Sequence, residues 1–269
     1  MRKALTYSML VLGAVLFAYP FLWMIAGSLK PELEISSLGL FSWNMTTQSY
    51  EAVLTKIPIG RAFINSLIVS LITTTSVVLF GSMVGYALAK LKFVGNKVLF
   101  IIILFTMMIP FQIVLIPQYI LMVKLGWTDT YLSLIAPTMM SAFSITLFRQ
   151  FFMSIPSALI DAARIDGCSE RRILFSVVWP LSRPVIVTVA ILTFMTSWNE
   201  VLWPLMVVRD RSLMTMPQIV TLFTIGGEAE SQLGSLLAAA TLLSLPVIIA
   251  YSFFQKYFIE SMASSGLKG

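Results

Sequence analysis

Six long apolar stretches of this sequence run without a charged residue: 4–29, 62–89, 98–123, 130–148, 184–199 and 231–255. The hydrocarbon core of a bilayer is about 30 Å thick, and a helix needs roughly 20 apolar residues to cross it. Backbone polar groups in hydrocarbon must bond within the protein, which leaves helices and closed barrels as the spanning structures. Uninterrupted runs of this length predict helices, so the expected fold is an all-α integral membrane bundle of six spans. The fifth run is short but resumes after Glu200 with Val201–Val208, as a tilted helix ending at the interface would. With 58% apolar and 11% charged residues, against about 45–50% and about 25% in soluble domains, the chain excludes an ordinary soluble enzyme and a disordered one.

The first run continues through Tyr19-Pro20-Phe21-Leu22-Trp23 without a small-residue cleavage site, so it reads as an anchor and not as a secretory signal. Residues 1–29 are the anchoring helix, 30–60 an external connection, 61–256 a core of five spans, and 257–269 a cytoplasmic tail. Orientation follows the Lys/Arg bias of short loops. With the N-terminus inside, twelve basic residues lie inside and six outside, counting all 18. Both termini are therefore expected in the cytoplasm, and the net charge of +6 is an orientation signal. The bases form no stripe, so nucleic acid is not an expected partner. Trp23, Trp43, Trp127, Trp198 and Trp203 fall near outer boundaries, as an aromatic belt would place them.

No His is present, and Cys168 is the single Cys. A His-based metal or haem site, a Ser-His-Asp triad and a Cys-His nucleophile are all excluded, and no intramolecular disulfide can form. No catalytic residue and no metal-ligand set are expected.

The inside loop 149–183 holds five of the 18 bases and three of the twelve acids. Pro156 suits a first-turn position, or Ser157 caps a helix starting one residue later. Ala158–Asp166 are helix formers, and Gly167 supplies a left-handed stop. Ser169 then caps a second helix, Glu170–Val178, ending ahead of Pro180. This predicts a helix–Gly–helix elbow outside the bilayer. Ala158, Ala162 and Ile165 fall on one face, with Leu159 and Ala163 beside them, and Asp161 and Asp166 at the rim. Such a face suits close approach of a partner. Two plainer readings stand beside it: an Asp161–Arg164 surface pair, and an elbow packed on its own bundle.

The pattern Asp161-Ala162-Ala163, three residues, Gly167, nine residues, then Val177-Val178-Trp179-Pro180 resembles the loop signature of binding-protein-dependent ABC importer permeases. That signature reads Glu-Ala-Ala, three residues, Gly, nine residues, Ile, one residue, Leu-Pro. Leu181-Ser182-Arg183-Pro184, Asn65-Ser66, Trp198-Asn199-Glu200 and the tail Gly266-Leu267-Lys268-Gly269 are similar to the carbohydrate-uptake branch, in particular the maltose-type subunit without extra N-terminal helices. Three positions depart from the pattern: Asp161 for Glu, Trp179 for Leu and Cys168 for Ala.

The resemblance implies a type I permease bundle with a cytoplasmic coupling helix, in a bacterial cytoplasmic (inner) membrane. Asp161, Ala162, Ala163, Asp166, Gly167, Ser169 and Pro180 would form the surface that meets an ATPase, with Gly266 and Lys268 in the tail. It also implies a second homologous permease, a cytoplasmic ATPase dimer carrying ATP and Mg, and an extracytoplasmic substrate-binding protein. Independently, the chain has no G-x-x-x-x-G-K-[ST] loop, so it does not cradle nucleotide in that way. The implied function is inward movement of a sugar by alternating access, with no chemistry on this chain. The alternatives are an importer of an amino acid, phosphate or polyamine with the same loop, and an ion-coupled carrier, which buried charge relays would mark. For the pathway or a binding-protein contact the candidates are Trp198, Asn199, Glu200, Gln112 and Gln118, because ionisable and polar groups at membrane depth mark functional sites. Pro110 and Pro117 are expected to interrupt the third span.

Overall fold

The computed structural model describes residues 2–35, 39–40, 42–225 and 232–266, and among them the regular elements are all helices, without strands. In chain order the helices are α1 (Arg2–Ser28), α2 (Gln48–Lys56), α3 (Ile59–Lys90), α4 (Asn96–Met108), α5 (Phe111–Lys124), α6 (Tyr131–Ile135), α7 (Ala142–Met153), α8 (Ser157–Ile165), α9 (Glu170–Ile173), α10 (Trp179–Leu181), α11 (Arg183–Trp198), α12 (Leu202–Val207), α13 (Met216–Ile225) and α14 (Leu233–Gly266).

Among the described residues, Leu5–Ser28 and Ile59–Lys90 are each long and apolar enough to cross a bilayer alone. Three bent helix pairs are long and apolar enough only when taken together: α4 with α5 at 99°, α6 and its following turn with α7 at 41°, and α9–α10 with α11 at 87°. Length and composition thus give two to five crossings, and the expected sixth interval falls on α14, apolar over Leu233–Ile249. A count of six reads each bent pair, and α14, as one crossing.

The breaks have local causes. Ile109 precedes Pro110 and is extended (φ −81°, ψ 116°), the conformation a proline imposes on its predecessor. Pro110 then stands at the N-cap of α5. Pro117, also expected to interrupt, instead lies inside α5. One break of two therefore occurs.

Helix α3 is the centre of the bundle. It packs against α7 and α11, and Gly81 and Gly85, four residues apart, face α7 at the small-residue spacing that lets membrane helices come close, with Gly85 at the tightest point. A Cβ at Gly85 would lie 2.7 Å from the Phe148 Cβ and 3.1 Å from the Arg149 backbone N. At Gly81 it would sit 3.5 Å from the nearest Phe148 ring carbon, an ordinary contact. Two cores form at the two ends of α3. One gathers Val53, Val69, Trp198, Trp203, Met216 and Phe223; the other gathers Val77, Tyr86, Phe148, Phe152, Ile160 and Ile173.

Trp198 (0% exposed) and Trp203 (2%) belong to the first core, which corrects their assignment to an aromatic belt. Their indole N–H groups explain it. Trp198 donates to the Leu243 carbonyl (3.2 Å) and Trp203 to the Ser133 carbonyl (2.7 Å), so each ring is tied inward. Described residues of the connection over 30–60 are tied to neighbouring helices. Glu32 accepts from the backbone N–H of Leu233 and of Gly234 (3.0 Å for the latter), closing the N-terminus of α14, and the Ser28 and Tyr50 hydroxyls lie 2.7 Å apart.

Substituting Gly85 by Val is expected to destabilise the detergent-solubilised protein by about 1–3 kcal/mol, the usual penalty for overpacking. Gly81→Ala is expected to change stability by less than about 0.5 kcal/mol. Thermal unfolding of the two variants measures the difference.

Candidate functional site

The elbow begins where α7 ends. Helix α8 starts at Ser157, with Pro156 at the N-cap making no side-chain cap bond; Ser157 is thus the first helical residue and does not cap. Asp166 is the C-cap, and Gly167 follows at φ +77°, a conformation that costs non-glycine residues about 1–2 kcal/mol. Gly167 N–H bonds the Arg164 carbonyl (3.0 Å) and Cys168 N–H the Ala163 carbonyl (3.0 Å). This pair of bonds is the Schellman termination that glycine permits. Ser169 then accepts from Arg172 N–H (3.4 Å) and caps α9.

The second helix departs from expectation. It does not stop ahead of Pro180. After Ile173 the chain forms a π-helical turn, Leu174–Val178, and continues through Pro180 in α10. Widening of this kind accommodates groups that the i→i−4 ladder cannot bond. The chain turns at Ser182 (φ −107°, ψ 16°), where α10 gives way to α11.

One side chain anchors α8: Ile160 is 1% exposed and lies in the core with Phe148, Phe152 and Ile173. Ala163 and Cys168 are half-buried against that core. The rest of the helix is open. Ala158, Leu159, Asp161, Ala162, Asp166 and Gly167 are exposed, and Ile165 is 86% exposed. The expected face is therefore exposed with one departure: Ala163 turns toward the core. A Cβ at Gly167 would meet nothing within 4 Å. The plainer pairing exists too, since Arg164 reaches Asp161 at 3.0 Å.

Arg164 also holds Glu170 at 2.7 Å, and the Tyr86 hydroxyl donates to the other Glu170 oxygen at 2.5 Å. The hydrogen bond from Arg164, and then that from Tyr86, hold the Glu170 carboxyl below the ordinary carboxylate range against the opposing effect of burial. A depressed carboxylate stabilises the fold above its ordinary pKa and loses that contribution as pH falls through the lowered value. At neutral pH the pair is intact. Two more bonds join α3 to this region: Trp179 Nε1 donates to Ser82 Oγ (3.1 Å) and Lys90 Nζ to the Ile155 carbonyl (2.6 Å). Trp179, where the family pattern has Leu, is thus matched by a hydroxyl on α3. Sequence reasoning did not find Tyr86, Ser82, Lys90 or Glu170, because nothing in their spacing to the loop signals contact.

The other expected site residues do not converge. Asn199 is exposed and donates to the Met195 carbonyl (2.8 Å) of its own helix. Glu200 accepts from Trp203 N–H (3.1 Å) at the start of α12, a capping role. Trp198 is buried and faces no open space. Gln112 is exposed and Gln118 half-buried on α5, and among the described residues neither bonds Asn199 or Glu200. Gly266 ends α14, and Lys268 lies outside the described residues. At the other end of α3, Asn65 donates to the Ser212 (3.0 Å) and Met214 (2.9 Å) carbonyls and accepts from Tyr131 (2.6 Å), while Ser66 accepts from Met216 N–H (2.7 Å). Asn65-Ser66 therefore pins the 212–216 segment onto α3.

A cavity of about 840 Å³ lies between α3, α11 and α14, lined by Phe63, Leu67, Ile191, Phe194, Leu242 and Leu245 among others. Ligand sites owe their specificity to a few placed polar groups. This lining is almost wholly apolar and suits an apolar helix or an acyl chain better than a sugar.

Residues 77–264 match the family model described as the binding-protein-dependent transport system inner membrane component. The chain is 34% identical, over all of its length and 96% of the relative, to the arabinooligosaccharides transport system permease protein AraQ of Bacillus subtilis (strain 168). It is 31% identical, over all of its length and 99% of the relative, to the trehalose/maltose transport system permease protein MalG of Thermococcus litoralis. Its fold is similar to a chain in the crystal structure of a bacterial ABC transporter involved in the import of the acidic polysaccharide alginate, with TM-score 0.81, 24% identity, and coverage of 95% of this chain and 96% of that one.

The anchoring of α8 gives a direct contrast. Ile160→Ala is expected to cost about 2–5 kcal/mol, as buried Ile truncations do. Ile165→Ala is expected to stay within about 0.5 kcal/mol, as exposed substitutions do. Thermal unfolding of both variants in one detergent checks the pair.

Proposed function

This chain belongs to the family of binding-protein-dependent transport system inner membrane components, and on that premise we propose that it is the permease subunit of an ATP-driven importer carrying a carbohydrate inward. The observation that carries the reading is the open face of α8. Leu159 and Ile165 stand exposed on a short helix that a glycine stop ends and a single buried isoleucine anchors. An apolar face of this kind is stabilised by a partner that covers it.

That partner is the ATPase, which holds ATP and Mg on its own chain. This chain contributes no catalytic residue to hydrolysis and moves substrate by alternating access. Asp161 and Asp166, at the rim of the exposed face, are placed to meet Arg or Lys on the ATPase. Asp161 is one methylene shorter than the family's Glu, and its present partner Arg164 is on the same helix. A second permease completes the pathway, and the apolar cavity between α3, α11 and α14 suits contact with it. A substrate-binding protein delivers the sugar on the opposite side of the membrane. Both termini and the elbow lie in the cytoplasm, consistent with the bias of twelve basic residues to six. The chain crosses the membrane six times, with 1–29 as anchor, 61–256 as core and 257–269 as tail.

The carbohydrate assignment is supported by relatives named for arabinooligosaccharides and for trehalose/maltose. The almost wholly apolar lining of the large cavity favours recognition of the sugar by the binding protein and at the interface of the two permeases.

Reconstitution with both permeases, the ATPase and the binding protein tests this. Gly167→Trp is expected to leave the complex assembled while abolishing uptake and its stimulation of ATP hydrolysis, because the new ring stands on the docking face. Normal uptake of radiolabelled oligosaccharide by that variant would contradict the reading.

A further inference from the structure

Ser82, Tyr86 and Lys90 lie at i, i+4 and i+8 on α3, so they share one face of its last turns. Each is hydrogen-bonded to a different part of the elbow. Ser82 accepts from Trp179 in α10, Tyr86 donates to Glu170 at the start of α9, and Lys90 donates to the Ile155 carbonyl just ahead of α8. Arg164 closes the figure by joining α8 to Glu170. Both ends of α8 are therefore tied to α3, the entrance through Ile155 and Lys90, the exit through Arg164, Glu170 and Tyr86.

The connection from the elbow to α11 is of another kind. It passes through Ser182, where the helix axis turns by 87°. The Ser182 hydroxyl is buried and bonds no described group, so no side-chain bond of Ser182 holds that bend. The elbow meets α11 through apolar packing, with Val185 and Val189 in the same core as Ile160 and Ile173. Displacement of α8 therefore acts on α3 through directed side-chain hydrogen bonds and on α11 through packing that can slide.

We propose that the Ser82–Tyr86–Lys90 face makes α3 and the elbow one rigid body, so that α3 is the element that receives the coupling movement, with Ser182 as the hinge toward α11. This rests on the reading of α8 as the ATPase-docking helix. Tyr86 and Glu170 act as positioning residues, since neither touches substrate or nucleotide. Tyr86→Phe removes one oxygen and keeps the ring, whose edge-on packing on Phe152 (centroids 6.4 Å apart) needs no hydroxyl. Glu170→Gln keeps the shape and removes the charge that Arg164 neutralises.

The test measures sugar taken up per ATP hydrolysed in proteoliposomes holding the full complex. Tyr86→Phe and Glu170→Gln are each expected to lower that ratio about fivefold or more with assembly unchanged, and the double variant to be no worse than the poorer single one. Unchanged ratios, or losses that multiply in the double variant, overturn the proposal. A second readout does not depend on activity. With Cys168→Ser as background, spin labels at Ile165→Cys and Met83→Cys are expected to keep their separation through the ATP cycle, while labels at Ile165→Cys and Thr196→Cys change theirs. A change in the first pair as large as in the second overturns the proposal as well. ATP-driven uptake by the unmutated complex separates the two failures: if uptake is present and the variants are normal, the rigid body alone fails. If uptake is absent, the docking reading fails and the proposal with it.

Discussion

Burying a polar group away from water is costly unless it is hydrogen-bonded, and four buried polar side chains of α3, Asn65, Ser66, Thr73 and Ser82, find partners on other segments. The partners they find decide what is next to what. Asn65 and Ser66 hold the 212–216 segment at one end. Thr73 meets Thr138 midway (3.4 Å), and Ser82 meets Trp179 near the other end. Where α3 has glycine, α7 comes close enough for Phe148 to pack on it. Hydrogen bonds at the ends and close packing between them make α3 the axis on which the remaining helices are placed.

The elbow is a consequence of that axis. Ile160 and Ile173 enter the core built on Val77, Tyr86, Phe148 and Phe152, and this fixes the side of α8 that faces inward. The opposite side then projects Leu159 and Ile165 because a nine-residue helix on one anchor has no second neighbour to cover it. Gly167 ends the helix two residues beyond Ile165. Thus the exposed surface is set by burial on the other side, and its apolar character is the reason a second protein is invoked.

Much of this was legible in the chain itself. Charge-free runs marked the apolar helices, since a charge at membrane depth is costly, and Gly167 and Ser169 marked the elbow because each has a local conformational reason. What was not legible depends on tertiary placement. Pro110 breaks its helix while Pro117, seven residues later, does not, and no local rule separates them. Trp198 and Trp203 sit near helix ends, where belt residues sit, yet their N–H groups find carbonyls on other helices. Glu200 reads as an isolated acid and turns out to cap α12. Tyr86 and Glu170 are 84 residues apart, and only the fold makes them partners.

The central claim is that the open face of α8 is where the ATPase sits. Photo-crosslinking in intact membranes addresses it most directly, with a photoreactive residue in place of Ile165 and, as control, of Phe17 in α1. The account predicts a covalent adduct with the ATPase from position 165 and none from position 17. An adduct from position 165 that contains only lipid or another copy of a permease chain would contradict it.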